Sequence, residues 1–361
     1  MIEQLLARKE ICICAGAGGV GKTTTAAAIA LGMAERGSKV AVLTIDPAKR
    51  LANSLGLPEL GNEERRVDTG GAGELWAMML DAKRTFDELI EWHAPDERTR
   101  DAVLANPVYQ ELSSAVAGSQ EYMAMEKLFE LHNEGRYDLL VLDTPPSASA
   151  FDFLEAPGKL SAFIDSRSLQ LFTAPGRVGL RVFGRGGGVL FSVLRRATGI
   201  DLLEDLSEFF RSFGDMSQGF RERAERVQTL LTSPRAAFVL VTSPRRPAIG
   251  EAIEFHRRLA DAGLPFAAAV VNRVHVVERN ATARGLAKVA GDDLAGKVAD
   301  SLADNRQLAA GDQASLAALK RRLGRKPMIE VPELDDEVHD LAGLWGVGRY
   351  LFGRREESRP R

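Results

Sequence analysis

Gly16-Ala17-Gly18-Gly19-Val20-Gly21-Lys22-Thr23 satisfies G-x-x-x-x-G-K-[ST] at every fixed position, the pattern of a loop that wraps phosphate groups. The chemistry accounts for the spacing. Glycines let the backbone curl until successive N–H groups point at phosphate oxygens, and the helix that follows adds its positive end. Lys22 then reaches the β- and γ-phosphates, the Thr23 hydroxyl ligates magnesium, and Thr24 completes the nucleotide-binding segment. The flanks agree, since Ile11–Ala15 is an apolar run of strand type and the Ala-rich stretch Thr24–Arg36, stopped by Gly37, predicts a helix. The loop implies a site for ATP or ADP with Mg2+.

Further apolar runs follow at Lys39–Ile45, Glu74–Leu80, Tyr137–Leu142, Ala236–Thr242, Phe266–Val271 and Met328–Val331. Helical stretches separate them, which predicts a mainly parallel sheet covered on both faces. The fold class is therefore α/β, a three-layer phosphate-loop fold. From Phe151 to Leu230 strand runs vanish and Phe, Leu and Arg recur at helical spacing, interrupted by the permissive loop Gly184–Gly188. This block reads as a helical insertion. At 361 residues the chain exceeds the size of a single core. The expected division is a first core half over 1–150, the insertion over 151–230, a second core half with a C-terminal helix over 231–351, and a polar tail over 352–361.

A magnesium-bound triphosphate needs a second anchor, an acid at the end of a neighbouring buried strand. Asp143, closing YDLLVLD, and Asp46, closing VAVLTID, are the two candidates. One can help hold the metal while the other orients an attacking water.

Charge and composition narrow the partners. Against 47 basic residues stand 50 acidic ones, a net charge of −3, so no nucleic acid is expected. No stretch approaches the 18 or so uninterrupted apolar residues of a membrane span. MIEQLLARKEICICAG lacks the pattern of a secretory signal. Cys12 and Cys14, two apart in a buried strand, read as small core residues of a reducing cytoplasm. The five histidines show no metal-ligand spacing. Asp335, Asp336 and Glu337 read as the first turn of the last helix.

Four segments, GAGGVGKTT, TIDPAKRLANSLG, LDTPPSASAFDFLEAPGKL and VTSPRRPAIGEAIEFHRRL followed by VVNR, occur in that order between Ile11 and Leu351. Together they resemble the arsenite-pump and tail-anchored-protein-targeting ATPases, relatives of the MinD and ParA types. The resemblance implies that Asp46 positions the hydrolytic water and that Asp143-Thr144-Pro145-Pro146 is a switch that holds magnesium. It further implies that Asn272 reads the adenine edge, that Val331 and Pro332 wall the base, and that the insertion carries a groove for a hydrophobic or membrane-protein client. A dimer is implied, either of two identical chains or with a paralogous ATPase.

Several departures qualify what the resemblance implies. The family's loop carries a second lysine directly after its first glycine, which reaches across to the partner's phosphates; here that position is Ala17. Arg245 stands where the family has an acid at the dimer face, so Arg245 or Arg246 is a candidate for the cross-subunit cation. The zinc-clamping Cys-x-x-Cys and the arsenite-binding cysteines of the relatives are both absent. The expected function is a dimeric Mg-ATP-driven switch. The alternatives are a nucleotide-gated scaffold with little hydrolysis of its own, and a MinD-like ATPase whose tail, rich in Trp345, Tyr350 and Phe352, lies on a membrane surface. For that tail a docked last helix is the favoured reading.

Overall fold

Strand β1 (Ile11–Ala15) is buried at every residue, because parallel neighbours flank it and helices cover both faces. In the computed structural model, residues 1–46, 48–107, 109–110, 119–144, 218–277, 292–334 and 337–353 are described. The other strands are β2 (Lys39–Thr44), β3 (Arg65–Val67), β4 (Glu74–Met79), β5 (Leu139–Asp143), β6 (Ala236–Thr242), β7 (Phe266–Val274) and β8 (Met328–Pro332). They form one eight-stranded sheet in the order β3-β4-β2-β5-β1-β6-β7-β8. Every pair runs parallel except the edge pair β3–β4, which is antiparallel. The sheet is the α/β phosphate-loop fold expected from the spacing of the apolar runs.

β3 escaped the sequence reading. It is three residues long and two of them, Arg65 and Arg66, are exposed, so no apolar run marks it. Charged side chains on an edge strand also block pairing with a further chain.

After the short helix α1 (Ile2–Leu6) and β1, helix α2 (Lys22–Ala34) follows the loop and buries nearly its whole surface, from Thr25 through Ala34. That explains its alanines: small side chains let it lie close to the sheet on one side and to the helix Leu341–Phe352 on the other. This last helix is capped by Asp340, whose carboxylate accepts from Gly343 N at 2.8 Å. Leu344, Val347 and Leu351 are buried, and Arg36 of the segment after α2 stacks 4.2 Å from the Phe352 ring centroid. The helix is therefore docked, while Trp345 and Tyr350 face outward. The cap lies at Asp340, so Glu337 precedes the helix instead of forming its first turn; Asp335 and Asp336 lie outside the described residues.

The chain divides into two compact units. One combines Met1–Met79, Leu131–Phe151 and Leu231–Arg361 and holds the sheet. The other combines Leu80–Glu130 with Asp152–Leu230, of which 218–230 is described. Within this second unit Tyr122 donates to Glu126 at 3.1 Å and Arg223 pairs with Glu126. The Arg223 guanidinium also lies over the rings of Trp92 and Phe129, at 5.1 and 4.8 Å. Of the insertion 151–230, expected to carry a client groove, residues 151–217 lie outside the described residues. Among the described residues no helix is long and apolar enough to cross a membrane.

Candidate nucleotide site

In open parallel sheets, ligands bind beyond the carboxyl ends of the strands. Here β1 delivers the chain into the glycine loop between the ends of β5 and β6. A cleft of about 750 Å³ opens there, lined by Gly19, Gly21, Lys22, Thr23, Thr24, Asp46, Arg50, Asn272 and Pro332, among others.

The loop keeps its shape through residues that tolerate no side chain. Gly16 has φ 156°, and a Cβ on it would lie 1.9 Å from the carbonyl oxygen of Val241 on β6. Gly21 caps α2 in the left-handed region at φ 93°, and a Cβ there would meet Asn272 Nδ2 at 2.2 Å. Val20 anchors the loop in the core, 3% exposed, while Gly18 and Gly19 are exposed at its tip. Lys22 is buried and its Nζ donates to Ala17 O at 2.8 Å, folding the side chain back along the loop. Burial lowers its pKa, and the Arg50 charge pushes the same way.

Asp143 lies beneath the loop with no exposed surface. Its Oδ2 accepts from Thr23 Oγ1 at 2.7 Å and from Thr44 Oγ1 at 2.9 Å. Burial raises its pKa to about 6, opposed by the two hydroxyls and by Lys22. Its Oδ1 is buried and has no hydrogen-bond partner among the described residues. The next residue, Thr144, donates through both N and Oγ1 to Cys14 O, at 3.3 and 2.9 Å, which ties the start of the following segment to β1. Cys12 and Cys14 are free and buried. Hydrogen bonding with Cys12 and burial raise the Cys14 thiol well above its ordinary range.

Asp46 follows β2, whose register sets Thr44 opposite Asp143. Its backbone N donates to Thr44 Oγ1 at 3.2 Å, its Oδ1 accepts from Ala48 N at 2.9 Å, and Arg50 Nη1 lies 3.3 Å from Oδ2. The donor set of one threonine hydroxyl and two carboxylates is hard oxygen, which suits Mg2+. The partnerless Oδ1 of Asp143, whose Oδ2 accepts from Thr23, fits such an ion. Among the described residues no three His, Cys, Asp or Glu side chains could hold a metal by themselves. A cation here would therefore rely on oxygens of the substrate as well.

Asn272 enters the site through a distortion of β7. The β7–β8 register shifts between Val271 and Val274, and Arg273 sits at φ 60°. Such a bulge re-aims a side chain. Asn272 Nδ2 donates to Val20 O at 3.1 Å and its Oδ1 accepts from Arg273 N at 3.0 Å. The amide thus braces the phosphate loop from the far half of the sheet. Pro332 ends β8 on the same wall of the cleft.

Lys22, Thr23, Thr24, Asp46, Asn272 and Pro332 accordingly line one cleft, with Asp143 below it. Arg245 does not join them. It is exposed at the start of the helix Arg246–Asp261, and neither it nor Arg246 lines the cleft. Pro47, Pro145 and Pro146 lie outside the described residues. Sequence reading missed Arg50, because Asp46 precedes α3 and the two meet through the loop before that helix, where no helical spacing marks the pair.

The sequence profile of the anion-transporting ATPase family matches residues 9–290. ATPase GET3 of Malassezia globosa is 29% identical over 200 residues, 55% of this chain and 54% of that protein. A Halobacterium salinarum protein, named provisionally as an arsenical pump-driving ATPase, is 34% identical over 175 residues, 45% of this chain and 26% of that protein. ATPase GET3 of Podospora anserina is 25% identical over 260 residues, 72% of this chain and 71% of that protein. The chain thus spans about half of the first relative and a quarter of the second.

Proposed function

This chain belongs to the anion-transporting ATPase family, and from that premise we propose that it is a cytoplasmic Mg-ATP-binding and hydrolysing switch that passes its nucleotide state to a partner. The observation that carries the reading is the convergence of Lys22, Thr23, Asp46 and Asp143 at the carboxyl ends of three adjacent parallel strands.

The steps follow from the side chains. An incoming triphosphate draws Lys22 Nζ from the Ala17 carbonyl to its own oxygens, replacing a neutral acceptor by a charged one. The loop N–H groups hold the phosphates, and Thr23 and Asp143 are the residues that would hold a magnesium ion, which would supply positive charge against the phosphate oxygens during cleavage. Asp46 orients water for in-line attack, and Thr144, next to Asp143, carries the loss of the γ-phosphate into the segment that follows. Asn272 and Pro332 border the base.

The switch acts as a dimer, of two identical chains or with a paralogous ATPase, and Arg245 supplies a cation across that interface. A hydrophobic client or a membrane-protein partner docks on the insertion 151–230. A second reading, a nucleotide-gated scaffold with little hydrolysis of its own, is favoured by Ala17. The MinD-like membrane reading is weakened by the docked last helix, whose Leu344, Val347 and Leu351 are buried.

Turnover of Mg-ATP by the purified chain decides between these readings. Hydrolysis that falls about 100-fold or more in Asp46→Asn and sharply in Arg245→Ala supports the switch. Tight binding without turnover, alone or with a paralogue, leaves the scaffold. Unchanged turnover in Arg245→Ala sinks the cross-subunit cation, and failure to bind any nucleotide sinks the whole proposal.

A further inference from the structure

We propose that Arg50 is a catalytic residue of this site: a cation of the same chain that contacts the γ-phosphate of a bound nucleoside triphosphate. The inference rests on the nucleotide-site reading above.

Arg50 opens the short helix α3 (Arg50–Ser54), directly after the loop that leaves β2, and lines the cleft with Lys22, Thr23 and Asp46. Arg245 and Arg246, by contrast, lie outside the cleft lining.

Arg50 is loosely held. Its guanidinium meets Asp46 Oδ2 at 3.3 Å through a single nitrogen, and its side chain is 61% exposed where that of Asp46 is 11%. A half-solvated pair of this kind is weak and easily exchanged. A triphosphate's terminal group carries more charge than a carboxylate and offers an oxygen pair that matches the guanidinium fork. Arg50 therefore turns from Asp46 to the γ-phosphate when one is present.

The exchange has a consequence for Asp46. Its Oδ1 stays occupied by Ala48 N, so Oδ2 is the oxygen that Arg50 releases. That oxygen is then free to accept a proton from an attacking water. Arrival of a γ-phosphate thus places a cation on the transferring group and frees the acid that orients the nucleophile. A diphosphate lacks the group that triggers the exchange, so Arg50 also discriminates triphosphate from diphosphate.

Fluorescence titration with ADP and with a non-hydrolysable ATP analogue, together with single-turnover ATP hydrolysis, tests this on the full chain. In Arg50→Ala, ADP affinity stays within about threefold of the parent, which also reports a folded site. Affinity for the analogue falls about tenfold or more, and hydrolysis falls about 100-fold or more. Arg50→Lys restores part of the analogue affinity, since it keeps the charge and loses the fork. An unchanged analogue-to-ADP ratio in Arg50→Ala overturns the proposal, as does an equal loss for both ligands in both variants, which marks a structural role. A parent chain that binds neither nucleotide refutes the site reading itself, and this proposal with it. If the parent binds but does not hydrolyse, the affinity ratio alone decides Arg50.

Discussion

The Thr23 hydroxyl donates a 2.7 Å hydrogen bond to the Asp143 carboxylate, joining the start of α2 to the end of β5 across 120 residues of sequence. Both groups are metal-ligand candidates, and each stands in position before any cation arrives. The arrangement is costly for the chain without ligand. Asp143 is completely buried, its Oδ1 has no partner among the described residues, and its pKa is raised to about 6. A site that stabilises a ligand commonly destabilises the unliganded fold.

That cost has a definite pH signature. A carboxyl whose pKa is higher folded than unfolded binds an extra proton in the native state between pH ~4 and about 6. Its contribution to stability is therefore most favourable at low pH and is lost as pH rises through that window. Asp143→Asn removes the buried charge while its amide oxygen still accepts from Thr23 and Thr44. The nucleotide-free variant should be about 1–3 kcal/mol more stable than the parent at pH 8, and no more stable at pH 4. Its Mg-ATP turnover should fall about 100-fold or more. Urea unfolding at the two pH values checks the first statement, and a pH-independent difference would refute the assigned cause.

The contact between Gly21 and Asn272 should behave as a coupled pair. Asn272→Ala removes the bond to Val20 O and should cost about 1 kcal/mol, with several-fold weaker ADP binding. Gly21→Ala places a Cβ 2.2 Å from Asn272 Nδ2 at a φ of 93° and should cost about 2 kcal/mol or more. In the double variant the clash disappears while the backbone strain stays, so the two costs should not add. Urea midpoints of the four proteins measure the coupling. If Asn272 instead reads the base, Asn272→Ala will collapse a preference for ATP over GTP and leave stability untouched.

In the second unit, Glu126 has its pKa raised by burial, against the opposing charge of Arg223. Arg223→Ala leaves that carboxylate buried without its cation and strips the guanidinium from the rings of Trp92 and Phe129. A loss of about 3–5 kcal/mol is expected. Adding Glu126→Gln in the Arg223→Ala background should recover part of it. Thermal unfolding of the single and double variants decides, and no recovery would place the effect in ring packing alone.

Particular residues show why some of this was legible beforehand. Ile11–Ala15 and Ala236–Thr242 are strands at the bounds their apolar runs set, because strands buried on both faces must be apolar at every position. The helix Asp292–Leu323 runs for 32 residues, yet no helical stretch of that length stands out in the sequence. Its earlier turns carry many small and polar residues, so few of them form the apolar stripe that periodicity detects. Asn272 was singled out, yet its bond to Val20 depends on a bulge in β7, and a bulge leaves no mark in composition.

The sequence by itself determined the local chemistry: a loop whose glycines admit only one use, a lysine and threonine at its end, and two acids closing apolar runs. These follow from covalent spacing, since residues a few positions apart on a strand, turn and helix have nearly fixed relative positions. Tertiary structure alone decided which distant groups meet. The strand order brings Val241 against Gly16 and Asn272 against Gly21, register sets Thr44 beside Asp143, and Arg50 faces the cleft while Arg245 does not. Such choices depend on long-range pairing and burial, which no short window of sequence contains.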